Sequence, residues 1–202
     1  MNITLRNIIR RATLATVALL LSFGIAGAQI DLRISKSKIK SSLKRLDQLE
    51  LLAAQLNTAS GSTQAAADQL CQIAKQCIEL SERISHYINQ VNVLGTLQAS
   101  SEKVLQRTLL LTKLDSLSKE LASHKESISS IGSSIMSTGA SSGTSSGTSS
   151  SASSGTSSSA SNGTSSKALK SIGAKILKIA EKEYLYQAMA VGNMISALGA
   201  MK

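Results

Sequence analysis

The chain has 202 residues, of which 42% are hydrophobic, 17% charged and only 2% aromatic, and it contains no proline. With no Trp and a single Phe it lacks the bulky side chains that ordinarily line a ligand pocket, and two cysteines without proline exclude disulfide-dense, collagen-like and proline-rich recognition scaffolds. A formal net charge of +10 favours anionic partners.

Residues 1–28 read as a secretory signal peptide. Arg6, Arg10 and Arg11 form a basic start, Ala12 to Phe23 an apolar run, and Ala26-Gly27-Ala28 a small-x-small cleavage site. The apolar run is shorter than the ~20 residues a spanning helix needs. Cleavage after Ala28 leaves 19 basic against 12 acidic residues, a net charge of +7, and removes the only Phe. The expected location is secreted, periplasmic or cell-surface associated.

Residues 29–136 carry the periodicity of long helices, because nothing but glycine interrupts them. The first apolar stripe, Ile39, Leu43, Leu46, Leu49, Leu52 and Leu56, ends at an Asn57 to Thr63 turn. Leu70, Ile73, Cys77, Leu80, Ile84, Tyr87, Val91 and Leu94 then follow an unbroken alternation of three and four, the seam of a coiled coil. After Gly95 a third helix, from about Leu97 to Met136, repeats it through Leu110, Leu114, Leu117, Leu121, His124, Ile128, Ile131 and Ile135. Breaks near Gly61 and Gly95 suit antiparallel connections, so an up-down-up arrangement is expected. From Ser137 to Ser166 every residue is Ser, Thr, Gly, Ala or Asn, the composition of a flexible linker with a root-mean-square span of about 30 Å. Residues 167–202 form a basic amphipathic and then apolar C-terminal helix. The predicted fold class is therefore all-α: an elongated helical bundle or coiled coil of three long helices, plus a C-terminal helix after a disordered Ser-rich linker.

Chemistry is sparse along this chain. The G-x-S-x-G matches at 139–143 and 143–147 lie in the linker, without the strand and helix that hold a nucleophile. His124 occupies a seam position and His86 an outward one, on different helices, with no ligand cluster around them. Asp47 with Glu50, and Glu79 with Glu82, decorate helix faces. No catalytic residue, metal ligand or cofactor motif is predicted. Cys71 and Cys77 stand six apart on a predicted helix, about 9 Å along its axis, beyond the ~7 Å that a disulfide allows between Cα atoms. Three arrangements follow: a local loop closed by the pair, free thiols, or Cys77 bridging to its counterpart in a dimer.

Two basic stretches are candidate contacts for an anionic surface or membrane. The first contains Lys36, Lys38, Lys40, Lys44 and Arg45; the second places Lys167, Lys170, Lys175, Lys178 and Lys182 opposite the apolar arc Leu169, Ile172, Ile176, Leu177, Ile179 and Ala180. Nucleic acid fits poorly, since no aromatic residue interleaves with the charge. The expected function is that of an exported, non-enzymatic helical interaction or structural protein. It would act through a protein partner or self-association along its helix seams, and through binding an anionic envelope polymer, membrane or host surface. The alternative is a membrane-active protein whose C-terminal helix enters or lies on a bilayer.

Overall fold

A computed structural model describes residues 32, 34–56, 59, 63–137 and 166–201. The signal-peptide segment and nearly all of the Ser-rich segment lie outside the described residues. Four helices follow in order: α1 (Lys36–Leu56), α2 (Gln64–Thr96), α3 (Ser101–Ser137) and α4 (Ser166–Ala200). Among the described residues there is no strand. The fold is an all-α helical bundle.

Serine starts two of these helices. Ser35 Oγ accepts from the backbone N–H of Lys38, and Ser100 Oγ from that of Lys103, each three residues into the helix it caps. Helix α2 runs through Gly95 and stops where Leu97 turns extended. Helix α3 accordingly begins at Ser101, four residues later than the spacing predicts, because the Ser100 cap fixes its first turn. The many serines and threonines inside the helices return their hydroxyls to the carbonyl four residues back, as at Ser41, Ser85, Thr108 and Ser127. That bond removes their main objection to a helix interior.

The order is up-down-up-down. Arg107, near the start of α3, donates to the Gly199 carbonyl at the end of α4, while a Cβ added at Gly173, near the start of α4, would stand 3.6 Å from Ile135 at the end of α3. The end of α3 and the start of α4 are therefore neighbours. Helix α4 packs against all three others, α2 faces it across the middle, and α1 and α3 flank the pair. At Gly173 the approach of α4 to α2 is so close that a Cβ would lie 2.9 Å from Leu70 Cδ1. Gly thus permits the contact that a larger residue would force apart.

The predicted seams form the core. In α2, Leu70, Ile73, Cys77, Leu80, Ile84, Val91 and Leu94 are buried and Tyr87 is partly so; in α3 burial holds through Ile128 and loosens at Ile131 and Ile135. Helix α2 also buries a second stripe of small residues at seven-residue spacing, Ala67, Ala74 and Ser81, continued by Ile88, because it sits between partners. The core has two apolar halves. One gathers Leu32, Ile84, Ile88, Val91, Leu94, Leu110, Leu114 and Met194 at the α2–α3 turn; the other gathers Leu46, Leu49, Leu56, Leu70, Ile73 and Ile176 at the opposite end. Each such side chain contributes about 1.5–3 kcal/mol when taken from water.

Candidate functional site

Between the two apolar halves lies a polar layer built by α1, α2 and α4. Glu183 and Gln187, both completely buried, project from α4 into it. Arg45 Nε donates to Glu183 Oε2 at 2.7 Å, Ser81 Oγ donates to Glu183 Oε1 at 3.0 Å, and Ser42 Oγ donates to the same oxygen. Gln187 Nε2 donates to Ser81 Oγ at 2.7 Å and to the Cys77 carbonyl at 2.8 Å. The buried carboxylate is thus held by one charge and two hydroxyls, the condition under which an ion is tolerated in a core. Gln187 Oε1 has no hydrogen-bond partner. The amide orientation is set by the Cys77 carbonyl, which needs a donor. Burial, then nearby Glu183, pushes the Tyr186 phenol up to about 12, with the Arg45 guanidinium opposing. The void beside Ser42, Ser81 and Tyr186 measures about 10 Å³, room for at most one water.

The cysteines lie to one side of this layer, on α2. Both thiols are free. They sit on one uninterrupted helix, so the local loop closed by a Cys71–Cys77 bridge does not form. Cys77 is completely buried, and a bridge from it to another chain requires the bundle to open. Burial, then the charge of Glu183, raises its thiol pKa far above the ordinary value. Cys71 is partly exposed, with Sγ 3.6 Å from the Ala53 carbonyl oxygen, and burial followed by Asp68 raises its pKa as well.

On the opposite side, α2 and α3 enclose two surface grooves. The lower, about 300 Å³, is lined by Gln76, Glu79, Arg83, Glu120 and His124 among others. Arg83 holds Glu120 with both terminal nitrogens, one at 2.9 Å, which keeps the Glu120 carboxyl below its usual range. His124 is buried, its Nδ1 lies 3.4 Å from Gln76 Oε1, and its Nε2 has no partner. Burial lowers the His124 pKa from 6.5, so the folded chain favours the neutral ring. The unfolded chain takes up the proton first. This contribution to stability is complete above pH 6.5 and declines as the pH falls through 6.5 toward the lower folded value. Urea midpoints should therefore drop between pH 7.5 and pH 5 by more in the parent than in His124→Gln; equal drops would exclude His124 as the cause.

The upper groove, about 340 Å³, lies nearer the α2–α3 turn and is lined by His86, Asn89, Val93, Leu94, Leu109 and Lys113 among others. Around it apolar side chains face water: Val93, Leu97, Val104, Leu105 and Leu109 are 41% to 72% exposed, five of the eight exposed large hydrophobic residues among those described. Sequence periodicity alone does not single these out, because they read as extra apolar positions beside a strong seam.

The basic residues divide as follows. Lys36, Lys38, Lys40 and Lys44 on α1, and Lys167, Lys175, Lys178 and Lys182 on α4, are exposed; Lys170 is partly buried. Lys38 Nζ comes 3.1 Å from Met189 Sδ. Arg45 is the exception to the expected surface role, because the buried Glu183 carboxylate draws it inward. The apolar arc opposite the α4 lysines is turned into the bundle, with Leu169, Ile176 and Ala180 buried. Helices α1 and α4 each carry five basic against two acidic residues, whereas α2 and α3 together carry seven of each. The bundle is electrostatically two-sided.

Among the described residues no group of His, Cys, Asp and Glu is placed to hold a metal ion, and no helix is long and apolar enough to cross a membrane. The chain matches no protein-family model, no curated protein and no solved structure.

Proposed function

We propose that this is an exported, non-enzymatic helical interaction protein that binds an anionic surface through its α1–α4 side. The observation that carries this reading is the charge division: two adjoining helices hold ten basic and four acidic residues, and eight of their lysines are exposed. Such a stripe attracts a polyanion without a pocket, and each lysine near an anionic membrane contributes about 1 kcal/mol. The signal-peptide pattern of residues 1–28 supports export. A non-enzymatic role is supported by the three hydrogen bonds that hold the Glu183 carboxylate and by the void beside Ser42 and Ser81, which admits at most one water. Surface binding leaves α4 docked, whereas insertion would have to extract its apolar arc from the core.

The full chain is expected to sediment with phosphatidylglycerol vesicles at low salt, to be released at high salt, and to ignore phosphatidylcholine vesicles. Reversing Lys40, Lys44, Lys178 and Lys182 to Glu should weaken binding on the order of 100-fold or more. A heparin column tells a general polyanion preference from a lipid one. Failure to bind either material at low salt would overturn the proposal, and release of a dye trapped in the vesicles would favour insertion of α4.

A further inference from the structure

The lysines of α1 and α4 are not spread evenly around the two helices. Lys38 reaches Met189 and Arg45 reaches Glu183, so α1 and α4 run antiparallel, and each step forward along α1 is a step backward along α4. At 3.6 residues per turn, Lys175, Lys178 and Lys182 fall in the same arc of about 80° on α4 as Met189 and Tyr186, the residues that meet Lys38 and Arg45. On α1, Lys44 lies opposite the buried Ile39, Leu46 and Leu49, while Lys38 and Arg45 turn toward α4. These side chains line the outer groove between the two helices. The acids stand elsewhere. Asp47 and Glu50 fall on the flank of α1 turned away from α4, Glu181 falls on the flank that Leu177 turns toward Gly132 of α3, and Glu183 is buried under Arg45.

Along the bundle axis the lysines form a row. Arg45 and Glu183 mark a common level, so Lys44 and Lys182 stand side by side; Lys38 lies about 9 Å toward one end, and Lys178 and Lys175 about 6 Å and 10 Å toward the other. Lys167 extends the row to about 30 Å. All six are exposed. A small anion cannot engage cations spaced over this length, and a flat bilayer does not favour those of the groove over Lys40, which lies outside it. An extended chain of negative groups meets them in succession. Between the lysines the groove presents Ser41 and Gln48 from α1 and Ser171 from α4, all exposed. Hydroxyls and amides both donate and accept, which suits the hydroxyls of a sugar chain, whereas a phosphate chain brings acceptors alone.

We propose that the outer α1–α4 groove binds an extended acidic polysaccharide laid along the bundle axis, its carboxylate or sulfate groups engaged in turn by Lys38, Lys44, Lys182, Lys178 and Lys175. The proposal rests on the anionic-surface reading and gives that surface a direction, a length and a partner. The groove needs no pocket for this, because the specificity lies in the linear placement of charge and in the neutral polar side chains between.

Heparin oligosaccharides of increasing length, titrated into the full chain at low salt, should bind one per chain. Their affinity should rise steeply with length and level off once the oligomer spans the row. Lys44→Gln with Lys178→Gln and Lys182→Gln should weaken the long oligomers about tenfold or more. Lys75→Gln with Lys113→Gln and Lys119→Gln removes as much exposed charge from α2 and α3 and should weaken them less than about threefold. Both triple variants should keep the melting temperature of the parent. Inorganic polyphosphate of matched charge should bind more weakly than the oligosaccharide. Equal weakening by the two triple variants overturns the proposal, as does affinity that ignores length or equal binding of polyphosphate. Binding of phosphatidylglycerol vesicles without binding of any oligosaccharide overturns it and leaves the anionic-surface reading in place; binding of neither removes both.

Discussion

Arg45→Ala should lower the stability of the bundle by about 3 kcal/mol, measured from urea midpoints at constant slope. The loss comes from Glu183, whose buried carboxylate loses its cation. Ser42 and Ser81 still donate to it, yet neither neutralises it. The figure lies at the low end of the ~3–5 kcal/mol seen when one partner of a buried pair is removed, because the Arg45 side chain is 21% exposed and water reaches the gap. The paired substitution Arg45→Met with Glu183→Leu removes both charges and fills the layer with apolar volume. It should restore the parent midpoint or exceed it. If Arg45→Ala costs less than about 1 kcal/mol, the range of an exposed surface pair, the polar layer is more hydrated than its geometry indicates.

Ending the chain after Ser137 should abolish cooperative folding altogether. Helix α4 supplies Leu169, Ile176 and Ala180 to one apolar half and Ala190, Val191, Met194 and Leu198 to the other, and it packs on each of the remaining helices. Removal of even one buried Leu, Ile or Met side chain costs about 2–5 kcal/mol, and the whole stability of a domain of this kind is about 5–15 kcal/mol. Without α4 the seams of α2 and α3 face water together. The truncated chain should show reduced helical dichroism, no sharp thermal transition and strong binding of a hydrophobic dye. A cooperative melt in the truncated chain would mean that α1, α2 and α3 form a core by themselves.

These two expectations rest on parts of the molecule that were differently visible beforehand. The α2 seam from Leu70 to Leu94 was legible because eight large apolar residues hold one phase over four heptads, and only a helix buried along one stripe gives that pattern. The α3 seam was legible for the same reason, including the buried position of His124. The α4 seam was legible only in its first half, as the arc that holds Leu169, Ile176 and Ala180. Eight of its ten buried positions, Leu169, Gly173, Ile176, Ala180, Glu183, Gln187, Ala190 and Met194, alternate four and three; Val191 and Leu198 lie beside that series. Gly, Ala, Glu and Gln in that series conceal it from any scale that scores apolar bulk, and the five lysines nearby direct attention to the opposite face. The small residues fit because α2 approaches closely there, and the polar ones fit because Ser42, Arg45 and Ser81 meet them. None of this is local to α4.

The exposed patch at the α2–α3 turn was equally hidden, since Leu105 and Leu109 are as apolar as Leu110 and Leu114 and only the position of neighbouring helices tells which pair meets water. Helical class, element order and three of the four buried stripes follow from residue spacing, because a 3.6-residue period converts position along the chain directly into direction around a helix. Whether α4 docks, which charge leaves the surface for the core, and where apolar surface remains uncovered were decided by tertiary packing. Each depends on residues far apart in sequence: Arg45 finds Glu183 across 138 positions, and neither side chain carries any local sign of the other.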